Sequence, residues 1–311
     1  MTGRVEILLA TRNSTDYLED MLDGLLAQTH DDFHLIVSDD LSEDGTVAMI
    51  EARAAEFRNP VKIIRRDTPS GSAQANFRTL LAQAKGDYVF TADHDDIWLP
   101  GKIARGLAML QAAEARTGQE RPLLYHCDLM VINAKGEVRA PSYWAFKSID
   151  PSAGKALNRS VMHPTVTGCA MAMNRPLLDR LGDIPAECKM HDWWITLVAA
   201  AFGEVIADPE PQILYRIHGR NASRPRKVSP LASLFQLERA HRMRLVIRQR
   251  IEQARLFRDR YAAILPEAER QRLALLLSVP AAGFLGRRVR MIRGGFLWPG
   301  VWRNIVGLCF V

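Results

Sequence analysis

Cysteine is scarce: Cys127, Cys169, Cys188 and Cys309 are the only four in a chain of 311 residues, and no two stand in CxxC spacing. That excludes a zinc site of the usual spacing and a disulfide-stapled scaffold, and it fits a reducing compartment. No run of about 18 apolar residues occurs, so a conventional spanning helix is not expected. Val5–Ala10 is too short for the core of a secretory signal, and polar residues follow it at once. Repeats and low-complexity tracts are missing. The first loop, Thr11-Arg-Asn-Ser14, contains no glycine, which argues against a GxGxxG dinucleotide site.

What is present describes a globular chain: 48% hydrophobic and 24% charged residues. The length suits one large α/β domain plus an appendage of about 80–90 residues. The net charge of +6 hides a division. From Arg220 onward there are 19 Lys/Arg against 5 Asp/Glu, whereas the first 219 residues hold 22 against 30. A basic surface of this kind suits an anionic partner, either nucleic acid or anionic lipid.

The first hundred residues alternate in type. Val5–Ala10, Phe33–Ser38, Val61–Arg65 and Tyr88–Thr91 read as strands, with helical spacing through Tyr17–Leu26, Thr46–Phe57 and Ser72–Ala84. Such alternation predicts a mainly parallel sheet with helices on both faces, a Rossmann-like α/β fold. Further strands are expected over Leu123–Ile132, Thr167–Met173 and Gln212–Ile217, and a helix over Asp192–Phe202. Pro100 is expected in the first turn of the helix that follows it. A domain boundary is expected within Arg220–Pro230. Beyond it Ala240, Met243, Ile247, Ile251, Ala254, Tyr261 and Ile264 keep helical spacing, which predicts a basic helical region over 221–311.

Ligands of parallel sheets bind beyond the carboxyl ends of the strands, and the acids of this chain collect there. In Thr91-Ala-Asp-His-Asp-Asp-Ile-Trp-Leu-Pro100 three carboxylates crowd a strand end. They should repel one another unless a cation such as Mg²⁺ or Mn²⁺ neutralises them. The same run also fits a solvated loop capping the next helix. Ser38-Asp-Asp-Leu-Ser-Glu-Asp-Gly-Thr46 offers an aspartate to the ring N–H of a pyrimidine, or simply turn formers and caps. In His191-Asp-Trp-Trp194 an acid beside two tryptophans suits a general base with a raised pKa, or a helix cap above a core. Tyr215-Arg-Ile-His-Gly-Arg-Asn221 suits a diphosphate, or a basic linker. Val166-Thr-Gly-Cys-Ala170 either brings backbone close to an acceptor or is a core strand. Phe284–Val311 interleaves Arg287, Arg288, Arg290 and Arg293 with Phe296, Leu297, Trp298 and Trp302. That is the pattern of a segment lying in a lipid interface, or of a packed helix with a solvated basic face.

Taken in this order, the segments resemble the family 2 glycosyltransferases from about Val5 to Asn221. The matching pieces are the Asn13 loop with Gln28-Thr29, the Asp-Asp-x-Ser-x-Asp-Gly-Thr segment from Asp39, and Asp93-x-Asp95. Asn76-Phe77, Asp-His-Asp-Asp-Ile-Trp, His-Asp-Trp-Trp and Tyr-Arg-x-His-Gly-x-Asn resemble the bacterial rhamnosyltransferase-like branch, which works on surface polysaccharides. The resemblance implies a GT-A fold, a nucleotide-sugar donor, a divalent metal (Mg²⁺ or Mn²⁺) and inversion at the anomeric carbon. It carries nucleotide-sugar binding onto Thr11, Asn13, Asp40, Asn76, Asp93 and Arg216, with Asp40 at the pyrimidine base. The metal falls to Asp95, with Asp93 and His218, and the general base to Asp192. Gly168, His191, Trp193 and Trp194 fall on the acceptor side. Two departures stand out. Arg12 occupies a position where an aromatic is common, and the Gln-x-x-Arg-Trp motif of processive members is absent, so chain-extending polymerisation is not expected.

The expected division is a catalytic domain over 1–220, its nucleotide-sugar half about 1–100 and its acceptor half about 101–220, followed by the helical region 221–311. The expected partners are a dTDP- or UDP-sugar, rhamnose first among the sugars, a glycan or polyprenyl-diphosphate-linked acceptor, and an anionic membrane. This describes a cytoplasmic protein held peripherally on the inner face of a bacterial plasma membrane. Two rivals remain. A nucleotidyltransferase of similar fold would carry a Gly-rich, lysine-bearing first loop, which Thr11-Arg-Asn-Ser14 is not. A nucleic-acid binder working through the arginine-rich helices sits poorly with the acidic front half, so no nucleic acid is expected.

Overall fold

The computed structural model describes residues 3–219, 236–298, 304, 307 and 308, and of 236–242 the backbone alone. The expected boundary at Arg220–Pro230 and the side chains of Ala240 and Trp302 lie outside the described residues. The first half runs β1 (Val5–Thr11), α1 (Leu18–Leu26), β2 (Phe33–Asp39), α2 (Thr46–Arg53), β3 (Lys62–Arg65), α3 (Ala73–Gln83) and β4 (Tyr88–Asp93). The middle follows as β5 (Ile97–Trp98), α4 (Lys102–Thr117), β6 (Leu123–Cys127), β7 (Met130–Asn133), β8 (Val138–Ala140), α5 (Tyr143–Lys147) and α6 (Leu157–Met162). Then come β9 (Met171–Asn174), α7 (Arg175–Leu181), α8 (His191–Phe202), β10 (Glu204–Asp208), β11 (Ile213–Ile217), α9 (Gln236–Tyr261), α10 (Glu267–Leu277) and α11 (Phe284–Arg293).

The main sheet has the order β10-β6-β9-β4-β1-β2-β3, and only β9 runs against its neighbours. β1 is buried along its whole length, as a central strand covered on both faces must be. Its side chains alternate between two cores. Val5, Ile7 and Leu9 pack with Leu18, Met21 and Leu22 of α1 and Ile103 and Leu107 of α4. Leu8 and Ala10 face the other core, with Phe77 of α3 and Trp194 and Leu197 of α8. α9, α10 and α11 extend this second core through Ile251, Phe257, Leu273 and Met291. A smaller sheet, β5-β11-β7-β8, stands beside the main one.

Three local expectations need correction. Leu123–Ile132 is not one strand but β6 and β7, in different sheets. The chain breaks at Asp128, whose Oδ1 accepts the amides of Leu129 (2.8 Å) and Trp144 (3.0 Å) in place of a strand ladder. Thr167–Met173 begins as a 3₁₀ turn over Gly168–Ala170, and the strand starts at Met171. Pro100 lies outside the helix, which starts at Lys102 after Gly101.

Candidate active site

The carboxyl ends of β1, β2 and β4 open into a cavity of about 730 Å³, closed on the far side by the turn at Gly168, the start of α8 and one stripe of α9. Of the residues singled out from sequence, Thr11, Asn13, Asp40, Asn76, Asp93, Asp95, Gly168, His191, Asp192, Trp193 and His218 all line it.

The first two loops are sewn together. Asn13 adopts φ 47°, a left-handed conformation that asparagine tolerates better than most residues. Its Oδ1 accepts the Glu43 amide (2.9 Å) and its own amide donates to Ser42 Oγ (2.8 Å). Thr11 Oγ1 donates to Asp39 Oδ1 (2.9 Å), and Ser42 donates to the same carboxylate through its amide and hydroxyl. Burial alone would raise the Asp44 carboxyl, but hydrogen bonds from Thr46 and Thr15 hold it down at about 2. Asp40 is 3% exposed. It meets Arg12 Nη1 at 3.3 Å and Arg66 Nε at 3.5 Å, and accepts the Ser70 hydroxyl at 2.9 Å. Arg12, in the place of the common aromatic, is therefore a partner of Asp40. Asn76 Nδ2 donates to the Ser38 carbonyl (3.0 Å) and so ties α3 to the end of β2.

The acids after β4 are crowded. Burial raises Asp93 to about 7, helped by the charges of Asp95 and Asp192. Asp95 Oδ2 lies 2.8 Å from His218 Nε2, and the ring of His218 packs on Tyr17 at 4.8 Å. Beneath the lining, Asp96 is fully buried and raised well above the usual carboxylate range by burial, then by Asp95 and Asp93. Its carboxylate, that of Asp93 and the Cys169 thiol all come within 4.8 Å of one another. Nothing in the sequence joins Asp96 to Cys169, because the two meet only when the turn before β9 lies against the end of β4.

Asp192 enters in the first turn of α8. The amides of Trp193 and Gly168 pull its pKa down, yet burial outweighs them and raises it to about 6. Gly168 is tightly placed: a Cβ there would stand 3.1 Å from His191 Nε2, so the ring would have to give by a few tenths of an ångström. Its carbonyl accepts the Thr91 hydroxyl, which couples β4 to the turn beside Asp192. His191 is 3% exposed and stacked on Phe77 at 4.1 Å, and burial pushes it down to about 3, so its ring is neutral.

Two expected site residues do not reach the cavity. Arg216 is 3% exposed and turned away from it. Its guanidinium is spent on Asp20 (2.6 Å) and on the carbonyls of Asp95 (3.0 Å) and Ala134 (3.2 Å), and lies over the Tyr17 ring. It therefore braces the acidic loop rather than meeting a diphosphate. Trp194 is fully buried against Phe257 and Tyr261 of α9, one residue round the helix from Trp193. Residues missed from sequence include His94, Tyr143, Tyr215, Lys189 and Arg250, all of which line the cavity. His94 and Tyr215 stood inside motifs already noted, whereas Tyr143, Lys189 and Arg250 carried no signal.

Comparison with known proteins gives the fold and the family. A protein of Mycobacterium bovis described as uncharacterized is 29% identical over 216 residues, covering 69% of this chain; this chain spans 59% of that relative's length. A dTDP-rhamnosyl transferase of Shigella flexneri is 24% identical, with 68% of this chain and 72% of that protein covered. A mannosyltransferase from Pyrobaculum calidifontis, solved with GDP-Man and Mn²⁺, superposes with a TM-score of 0.58 at 18% identity, covering 99% of this chain and 79% of that one. The fold is that of the GT-A glycosyltransferases. The sequence profile described as glycosyl transferase family 2 matches residues 6–182, more than half of the chain, and this protein belongs to that family.

Proposed function

We propose that the protein moves a sugar from a nucleotide-sugar donor to a hydroxyl of a glycan acceptor, with inversion at the anomeric carbon. One observation carries the reading. Asp192, its pKa raised to about 6 by burial, shares a cavity with Asp93 and with the Asp95–His218 pair, beside the loops of β1 and β2. Asp192 takes the proton of the acceptor hydroxyl as that oxygen forms its bond to the anomeric carbon. The bond from that carbon to the diphosphate breaks, and the nucleoside diphosphate leaves with the electron pair. A base with a pKa of about 6 is largely ionised at neutral pH and still basic enough to assist.

A divalent cation would be held by Asp95 and His218, whose ligand atoms lie 2.8 Å apart, with Asp93 on the lining of the same cavity. The charge that raises Asp93 is the repulsion such an ion relieves, and Mg²⁺ and Mn²⁺ favour carboxylate oxygen. Cys169, a soft ligand beneath the lining with Asp96, suits those ions poorly. When bound, the ion neutralises the diphosphate and makes it a better leaving group. Thr11, Asn13 and Asn76 shape the nucleotide side, and Asp40 offers its carboxylate to the ring N–H of uracil or thymine, which favours a UDP- or dTDP-sugar. The name of the Shigella relative makes rhamnose the first sugar to try.

The acceptor is met at a membrane. Phe284, Leu285, Val289 and Ile292 of α11 are exposed, the first two by 70% and 73%, and Arg288 and Arg293 flank them. An apolar stripe edged with arginine suits an anionic lipid interface. Phe296 and Trp298, part of the same pattern in sequence, are instead buried in the core at 0% and 8% exposure. No helix among the described residues is long and apolar enough to cross a membrane.

Calorimetric titration of UDP, dTDP and GDP, with and without Mn²⁺, tests the donor reading. Metal-dependent binding of a pyrimidine nucleotide that weakens at least about ten-fold in Asp95→Ala is expected. Absence of binding by all three nucleotides under either condition would overturn it.

A further inference from the structure

Val246, Gln249, Arg250 and Gln253 follow one another at i, i+3, i+4 and i+7 along one stripe of α9, and the first three line the cavity. Beside them Ile247, Ile251 and Ala254 are buried in the core, so the stripe is held rigidly. Gln253 is 3% exposed and its Oε1 accepts the Lys189 amide at 3.0 Å, which fastens α9 to the loop ahead of Asp192. Arg250 thus lines the cavity from a helix tied to the segment that leads into Asp192.

Its surroundings are unusual. Arg250 Nη1 is sealed from solvent and has no hydrogen-bond partner. Other arginines of the fold meet carboxylates: Arg216 meets Asp20, Arg105 meets Asp208, and Arg53 meets Asp23. Among the described residues no carboxylate acts on Arg250, and burial lowers its pKa to about 10, so its charge persists at neutral pH. Arg250 is half-buried, and leaving one sealed guanidinium nitrogen without an acceptor is costly unless a ligand completes it. Two more buried groups on the same wall lack partners, Thr165 Oγ1 and both ring nitrogens of His191. Lys189 adds a second, exposed cation to the lining.

We propose that Arg250, assisted by Lys189, binds an oxyanion carried by the acceptor, a phosphate or a carboxylate close to the hydroxyl presented to Asp192. The assignment rests on the transferase reading and makes the acceptor an anionic glycan or glycan phosphate. A guanidinium fork suits either oxyanion, because it can donate two parallel hydrogen bonds. The C-terminal helices are then part of the substrate site.

The test is calorimetric titration of the full chain with methyl phosphate and, in a separate arm, acetate, each with and without saturating nucleoside diphosphate and Mn²⁺. One of the two anions is expected to bind the nucleotide-loaded protein, and to bind at least about ten-fold more weakly in Arg250→Gln. Arg250→Lys, which keeps the charge but not the fork, should retain part of that affinity, and nucleotide affinity should stay within about two-fold in both variants. Whichever anion depends on Arg250 names the acceptor's group. Anion binding that ignores Arg250 in both arms would overturn the proposal. So would a fall of about ten-fold in nucleotide affinity, since Arg250 would then serve the donor's diphosphate. A wild type that binds an anion through Arg250 but binds no nucleotide would sink the transferase reading and leave the anion subsite standing.

Discussion

Asp39, Asp40 and Asp44 at the end of β2, and Asp93, Asp96 and Asp192 at the end of β4 and the start of α8, are the same side chain in two electrostatic settings. The first three are met by donors from Thr11, Ser42, Ser70, Thr46 and Thr15 and by the cations Arg12 and Arg66. Asp44 is held at about 2. The second three lie close together with few donors, and burial drives all of them upward. Carboxylates of the first kind build loops. Those of the second kind lower the stability of the empty protein and await a proton or a cation. The β2 loops are therefore the frame of the cavity, and the β4–α8 acids are its chemistry.

The sharpest way to break this contrast is Asp192→Asn. Loss of general-base help should cut transfer by about 10²–10⁴-fold while nucleotide affinity is preserved, as read from steady-state kinetics beside calorimetry. Turnover near that of wild type would remove Asp192 from the role. In wild type kcat/KM should rise with pH through about 6, because the working form of Asp192 is the ionised one and is lost as pH falls. The Asn variant should lose that limb.

Next in size is Asp44→Ala, which takes one carboxylate from four hydrogen bonds. Chemical denaturation should record a loss of about 1–3 kcal/mol, and activity per folded molecule should survive. Its pH dependence has the same sign but lies at lower pH. A carboxyl depressed in the folded state stabilises above its unfolded value and loses that contribution only as pH falls toward about 2. Near pH 5, then, transfer should already be failing while circular dichroism shows the loops intact.

The smallest expected effect is the most counterintuitive. Asp93→Asn relieves a carboxylate whose charge is disfavoured in the fold, so the metal-free protein should melt about 2–4 °C higher. A lower Tm would mean that Asp93 stabilises the empty site, and the contrast between the two acid groups would weaken.

Much of the frame was legible in the chain because it is local. The mostly apolar Val5–Ala10 reads as a strand despite Glu6, and Gly45, Asn13 and Ser42 mark loops by their own conformational preferences. Asp93 and Asp192 were also legible, each beside an apolar segment that announces burial. Asp128 was not. Its break of β6 from β7 depends on Trp144, sixteen positions away, coming to its carboxylate. Nor did anything in His-Asp-Trp-Trp distinguish Trp193, which lines the cavity, from Trp194, which packs on α9.

Sequence alone determined the alternation of strands and helices, the gathering of acids at strand ends and the family to which the chain belongs, since each is a pattern of spacing along the chain. Tertiary structure decided which acids are satisfied, that Arg216 is spent on Asp20 and the acidic loop, that Asp96 meets Cys169, and that α9 brings Arg250 to the cavity. Burial and charge environment are set by contacts between segments dozens of positions apart, and spacing along the chain carries no record of them.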